Sequence, residues 1–270
     1  MRLQLVNDKQ ICELYLSGIS LVNLGLRYFG NRNQYCKIKN ILIKNDIEIR
    51  TISERNSTYS IDRNYFNKID TEEKAYFLGF LYADGANTRN CITLSLKNDD
   101  IKIIETFSKL LKTDRPVITY TNKTNSYSRL SINNHIVVND LIRHGIVERK
   151  TFKIKYPDID PLLDSHFIRG YFDGDGGFKF KRKKNQYSMC ITSNNNFCID
   201  LQNKIYSYTN IKLGIYPIYA NKESEIKRLE CGGNKQVVVL SNWLYNNSTI
   251  YLDRKYNQYI NLLNNPIGRK

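Results

Sequence analysis

The chain has 270 residues and is 41% hydrophobic, with 20 Tyr and 11 Phe, which supplies a packed core and excludes a disordered protein. Its 41 basic residues against 26 acidic ones leave a net charge of +15, and that much self-repulsion points to a polyanionic partner, nucleic acid first. No apolar run approaches the ~20 residues needed to cross a bilayer, so a membrane-spanning protein is excluded and no membrane partner is expected.

The N-terminal stretch carries Asp8 and Glu13 and no long apolar run, which argues against a secretory signal. Residues 1–51 read as a small all-α domain. Ile11, Leu14 and Tyr15 line a first helix that Ser17 and Gly18 end. Ser20 caps a second helix with Leu21, Leu24 and Tyr28 inward, and Gly25 is expected to soften it. Gly30 and Asn31 supply a turn, and Tyr35, Ile38, Ile41 and Leu42 mark a third helix. This pattern suits a plain three-helix packing module or a helix-turn-helix with residues 33–45 as the recognition helix, and the basic balance favours the second. The "YFGNR" turn and the "NDIEIRT" exit resemble the helix-turn-helix of recombinase-like and intron-associated DNA-binding proteins. Arg32, Asn33, Gln34, Tyr35 and Lys37 are then the residues offered to DNA. Residues 52–70, polar and weakly periodic, read as a linker.

From residue 71 the chain repeats itself. "AYFLGFLYADGA" (75–86) and "HFIRGYFDGDGG" (166–177) align with Gly79 on Gly170, Ala83 on Gly174, Asp84 on Asp175 and Gly85 on Gly176. Arg149-Lys150 and Arg254-Lys255 recur among aromatic and aliphatic neighbours behind each copy. The order helix, two strands, helix, two strands, helix appears twice, giving halves at 71–162 and 163–270.

Residues four apart share a helix face, so Gly79 with Ala83, and Gly170 with Gly174, form small-residue stripes that let two helices approach closely. Such pairing brings Asp84 and Asp175 together at the helix C-termini, where they repel each other and the local dipole. Divalent cations relieve that repulsion: Mg²⁺, or Mn²⁺ in its place, takes hard oxygen ligands. Paired acids, metal ions and a basic chain suggest phosphodiester hydrolysis, with a lysine near each scissile phosphate offsetting developing charge.

"FLGFLYADG" and "IRGYFDGDG" resemble the two signature motifs of LAGLIDADG homing endonucleases, over residues 71–259. The resemblance implies an α+β fold of two pseudo-symmetric αββαββα halves packed through paired motif helices, with a four-stranded sheet of each half saddling double-stranded DNA. It implies that Asp84 and Asp175 are metal-binding catalytic acids and that the carbonyls of Ala83 and Gly174 add metal contacts. It places the family's basic residue on Lys150 and Lys255, and a further polar position near Lys97-Asn98 and Ser193-Asn194. The first copy departs at Tyr82, where the second keeps Asp173, a position expected to serve the helix end rather than the chemistry. DNA-facing candidates are Arg89, Tyr120, Asn122, Arg129, Lys179, Lys181, Arg182, Lys183, Lys184, Tyr187, Lys222 and Arg228.

The expected function is a monomeric, Mg²⁺-dependent, site-specific DNA endonuclease making a staggered double-strand break. Its rivals are an intron-RNA maturase of the same fold and a non-cutting helix-turn-helix regulator. Six cysteines without a Cys-x-x-Cys pair, and His135, His144 and His166 without ligand-spaced neighbours, argue against zinc and for an intracellular chain with reduced thiols. Bacterial or phage cytoplasm and nucleoid, or an organelle, are the expected locations.

Overall fold

The computed structural model describes residues 7–17, 19–49, 59–122, 124–181, 183, 185–218 and 224–264, and the chain divides after Thr58 into two compact units. Gly18, residues 52–58, Arg182, Lys184 and Lys222, all named above, lie outside the described residues.

In the first unit α1 (Asp8–Leu16), α2 (Leu21–Phe29) and α3 (Tyr35–Lys44) enclose Ile11, Cys12, Tyr15, Leu21, Leu24, Tyr28, Ile38 and Leu42. The Asn7 side chain accepts from Gln10 N, and Ser20 from Asn23 N, so each of the first two helices starts on a side-chain cap. Gly30 ends α2 in the left-handed conformation at φ 66°, which a Cβ would strain. A 3₁₀ turn, Arg32–Gln34, precedes α3, so the third helix starts two residues later than expected. Gly25 does not merely soften α2. A Cβ there would lie 3.1 Å from Tyr35 N and 3.2 Å from Asn31 O, so the glycine admits the crossing chain.

The second unit holds the repeat. The first half runs α4 (Glu72–Asp84), β1 (Gly85–Thr88), β2 (Cys91–Lys97), α5 (Ile101–Leu110), β3 (Ile118–Asn122), β4 (Asn125–Ile132) and α6 (His135–Arg143). The second runs α7 (Asp164–Asp175), β5 (Gly176–Lys181), β6 (Gln186–Asn194), α8 (Asn195–Thr209), β7 (Gly214–Pro217), β8 (Ile226–Gly232), α9 (Asn234–Tyr245) and α10 (Asp253–Asn264). Each half builds an antiparallel four-stranded sheet, ordered β1-β2-β4-β3 and β5-β6-β8-β7. The fold is α+β with the two-fold internal repeat that the sequence implies.

Thr71 caps α4 by accepting from Lys74 N, and Glu72 and Glu73 place negative charge at the positive end of its dipole. Residues 75–82 of α4 are all buried, as they must be in a helix apolar on every side. The partner it buries against is α7, and glycine permits the approach reciprocally. A Cβ on Gly79 would collide with the Phe167 carbonyl, and one on Gly170 with the Tyr76 carbonyl. One continuous core, including Tyr76, Phe77, Phe80, Phe107, Phe167, Phe172 and Phe197, spans both halves.

Residues 59–70 are not a linker. Tyr65, Phe66 and Ile69 are buried in that core, Phe66 packs edge-on against Phe107, and the ring Nε2 of His144 lies 2.9 Å from Phe66 O. The halves also differ at their ends: the first closes on a 3₁₀ turn, Lys150–Phe152, and the second on the full helix α10.

Candidate functional site

Asp84 and Asp175 are the last residues of α4 and α7, and each is followed by a glycine that opens a strand. Because the stripes interlock, the helix ends converge. A Cβ on Gly174 would strike the Cβ of Ala83 and would lie 3.0 Å from Asp84 Oδ2, so α7 passes directly against the Asp84 carboxylate. Asp84 is half-buried and Asp175 retains solvent access. Burial, and then the negative charge of Asp175, push the Asp84 carboxyl up to about 6, against the opposing pull of Lys255, Lys150 and Arg254. Asp175 is also raised by the protein mass around it, while Lys150, Lys255 and the Tyr171 hydroxyl restrain the rise.

The two lysines come to the site but not in the expected manner. Lys150 Nζ donates to Tyr82 O at 2.6 Å and Ala83 O at 2.7 Å. Lys255 Nζ donates to Phe172 O at 2.6 Å and to Asp173 O and Gly176 O at 2.7 Å. Only 9% and 2% of these residues is exposed, so their amines are committed to backbone. The physical reason is that the last carbonyls of a buried helix lack partners, and an ammonium at that end satisfies them and complements the dipole. They are helix caps behind the acids rather than free cations reaching for a phosphate. Burial holds Lys150 below the usual lysine range against the pull of Asp175 and Asp84. Burial likewise brings Lys255 down to about 8, opposed chiefly by Asp173. The carbonyl of Ala83, expected as a metal contact, is engaged by Lys150, whereas the Lys255 amine bypasses Gly174 to reach Gly176 O.

A divalent cation fits the donor set. Two hard carboxylates converge at the helix ends, while no group of three or more Asp, Glu, His or Cys able to hold a metal occurs among the described residues. Water and phosphate oxygens would have to complete the coordination.

Asp173 faces away from this centre. It is fully buried and accepts from Tyr245 OH at 2.6 Å, Leu252 N at 2.8 Å and Tyr76 OH at 2.9 Å, tying α7 to α4, to α9 and to the strap before α10. In the first half its counterpart Tyr82 donates to His144 O, a different solution to the same closure. Sequence reading missed Arg169, four residues earlier on the same face. Its guanidinium is 1% exposed and donates to Ile250 O, Leu244 O and Glu72 Oε1 at 3.0, 2.9 and 2.6 Å. An arginine between Ile168 and Gly170, in the buried middle of the motif helix, was the available signal. The polar positions after the second strands are structural: Asn98 Oδ1 accepts from Ser128 Oγ, and Asn194 caps α8 while donating to Thr151 O and Ile154 O.

The sheets carry seven of the DNA-facing candidates: Tyr120, Asn122, Arg129, Lys179, Lys181, Tyr187 and Arg228. Strand pairing puts Ser95 opposite Arg129 and Tyr120 opposite Tyr127, so Tyr120, Asn122, Tyr127 and Arg129 share the outer face of the first sheet. There the Arg129 guanidinium sits over the Tyr120 ring, and Ser95 Oγ and Tyr120 OH are 2.9 Å apart. Arg89 lies at the β1–β2 turn, where it and Asn90 both have positive φ, the backbone of a tight two-residue hairpin. On the second sheet Lys179, Lys181 and Arg228 share the outer face, and Lys183 is exposed in the β5–β6 turn. Tyr187 does not join them. It falls on the opposite parity of β6, half-buried against Phe180 and the core. In the first unit Arg32, Asn33, Tyr35 and Lys37 are exposed and Gln34 is half-buried, with the Lys37 amine over the Phe29 ring.

No protein-family model matches the sequence, and no curated protein matches it. Among solved structures the chain is similar to the meganuclease I-SmaMI bound to uncleavable DNA, at 10% identity and a TM-score of 0.48 over 71% of this chain and 89% of that one. It is similar to the I-LtrWI LAGLIDADG homing endonuclease bound to target DNA, at 14% identity and a TM-score of 0.49 over 76% and 90%. It is similar also to the N-terminal LAGLIDADG domain of DUF199/WhiA, at 18% identity and a TM-score of 0.45 over 77% and 97%.

Proposed function

We propose that the chain is a site-specific DNA endonuclease of the homing type, acting as a monomer with Mg²⁺ or Mn²⁺ on both strands of a double-stranded target. The observation that carries this reading is the pair Asp84 and Asp175, held together at two helix ends despite their mutual repulsion. A packing module gains nothing from that arrangement; a cation-binding hydrolytic centre requires it. A bound divalent ion supplies Lewis acidity and an activated water at the phosphodiester.

The chain's own residues do the rest. Asp84 and Asp175 hold the ion, one from each half. Lys150 and Lys255 pin the helix ends and bias both acids toward their ionised, ion-binding form. The exposed cations of the sheets hold backbone phosphates in register, and the first unit lengthens the contact as a helix-turn-helix.

The test is incubation of purified full-length protein with Mg²⁺ and duplex DNA that joins the two sequences flanking its gene. Double-strand cleavage at the junction is expected. Intact DNA together with tight binding to transcribed flanking RNA would instead make the chain a maturase, and intact DNA with binding to duplex alone would make it a regulator.

A further inference from the structure

The second half closes on α10 where the first has only a 3₁₀ turn, and that helix walls a cavity. Lys255, Tyr259 and Leu262 form the buried face of α10, which leaves Gln258 and Asn261 exposed beside β5. The space they border is about 220 Å³. Phe178 and Leu262, both packed on the core, line it, and Phe178 meets Phe172 of α7 edge-on. Phe180 and Tyr187 line it too, with rings 5.0 Å apart at 47°, and Phe180 is 43% exposed.

These walls suit a flat ring with a polar edge. An exposed phenylalanine offers a stacking face, and stacking of bases on aromatic side chains is a principal term in single-strand binding. Residues three apart share a helix face, so the amides of Gln258 and Asn261 border the same cavity. Each amide carries donors and an acceptor, and neither side chain has a hydrogen bond among the described residues. An amide of this kind pairs with adenine, whose N6 donates and whose N7 accepts. Hypoxanthine, with O6 in place of the amino group, offers only acceptors on that edge. Lys179 supplies charge: it borders the cavity from the edge strand β5, while its parity puts it on the outer face with Lys181. A nucleotide entering round the sheet edge therefore keeps its phosphate near an ammonium group.

We propose that this cavity binds an unpaired adenine nucleotide of a DNA strand. Phe180 stacks on the base, Gln258 and Asn261 read its edge, and Lys179 meets the phosphate. The inference rests on the DNA-binding reading above and adds a second site, none of whose lining residues belongs to the paired-acid centre.

The experiment measures binding of full-length protein, in EDTA, to fluorescein-labelled single-stranded oligo-dT octamers. One carries a central deoxyadenosine, one a central deoxyinosine, and one is unsubstituted. Wild type should bind the adenine strand about tenfold more tightly than the hypoxanthine strand. The double variant Gln258→Ala/Asn261→Ala, altered only at exposed positions, should lose that preference while keeping its affinity for the unsubstituted strand and its melting temperature. Phe180→Ala should weaken binding of the adenine strand about fivefold. Equal wild-type affinity for the adenine and hypoxanthine strands overturns the proposal, as does a preference that survives the double variant. Tighter binding of the adenine strand's ribonucleotide counterpart would overturn the assignment to DNA. Loss of the adenine preference in a protein that still binds and cuts duplex DNA would sink this site alone. Failure to bind any strand or duplex would sink the nuclease reading with it.

Discussion

At the scale of single residues the two acids of "DGD" in α7 separate by environment. Asp173 is enclosed by three donors, so Asp173→Asn should cost about 1–3 kcal/mol of stability, measured by urea unfolding, because its amide group cannot accept all three bonds. Asp84 should behave oppositely. Its carboxyl titrates higher in the folded state than in the unfolded chain, so the folded state binds more protons between the two values and stability falls as pH rises through that window. In EDTA at pH 7.5, Asp84→Asn should therefore stabilise the protein by about 1–2 kcal/mol after allowance for solvent screening, a gain that vanishes near pH 4. Mg²⁺ should raise the melting temperature of the wild type and leave that of Asp84→Asn unmoved. Destabilisation by Asp84→Asn in EDTA at pH 7.5 would mean that the site is not built around repelling charge.

At the scale of elements the paired helices decide the fold. Gly79→Ala or Gly170→Ala puts a methyl into a facing backbone carbonyl and should cost about 3 kcal/mol or more, or abolish folding. Gly177→Ala, with nothing within 4 Å, is the control and should melt within a degree or two of wild type. This level was the most legible in the sequence. Small residues four apart, followed by an acid and a glycine, are local requirements of close helix pairing and a helix-to-strand exit, so the letters themselves carry them. The strand faces were harder. Most of β6 is buried, which hides the alternation that would have shown Tyr187 pointing inward. The lysine caps were illegible for a different reason. Lys150 and Lys255 are caps only because carbonyls 67 and 68, or 79 to 83, residues away end up beneath them. The packing of Tyr65, Phe66 and Ile69 into the core, and the Arg169–Glu72 pair across 97 residues, are likewise products of the tertiary fold.

At the scale of the whole molecule, duplication puts two related halves into one chain, and each half contributes one acid where the two motif helices end against each other. The halves are not equivalent: the first closes on a short turn with a two-bond lysine, the second on a helix with a three-bond lysine. Lys255→Met should therefore destabilise the fold more than Lys150→Met, since it removes three bonds to backbone against two, although Phe172 O keeps the Gly176 N–H; equal thermal shifts would remove that distinction. The central claim, that Asp84 and Asp175 together form a cation-dependent hydrolytic centre, is tested most directly by plasmid cleavage in Mg²⁺ with wild type, Asp84→Asn and Asp175→Asn on a plasmid carrying the target. Wild type should yield linear DNA, and each variant should bind the target with unchanged affinity yet yield none. Linear product from either variant at the wild-type rate would contradict the paired-acid account.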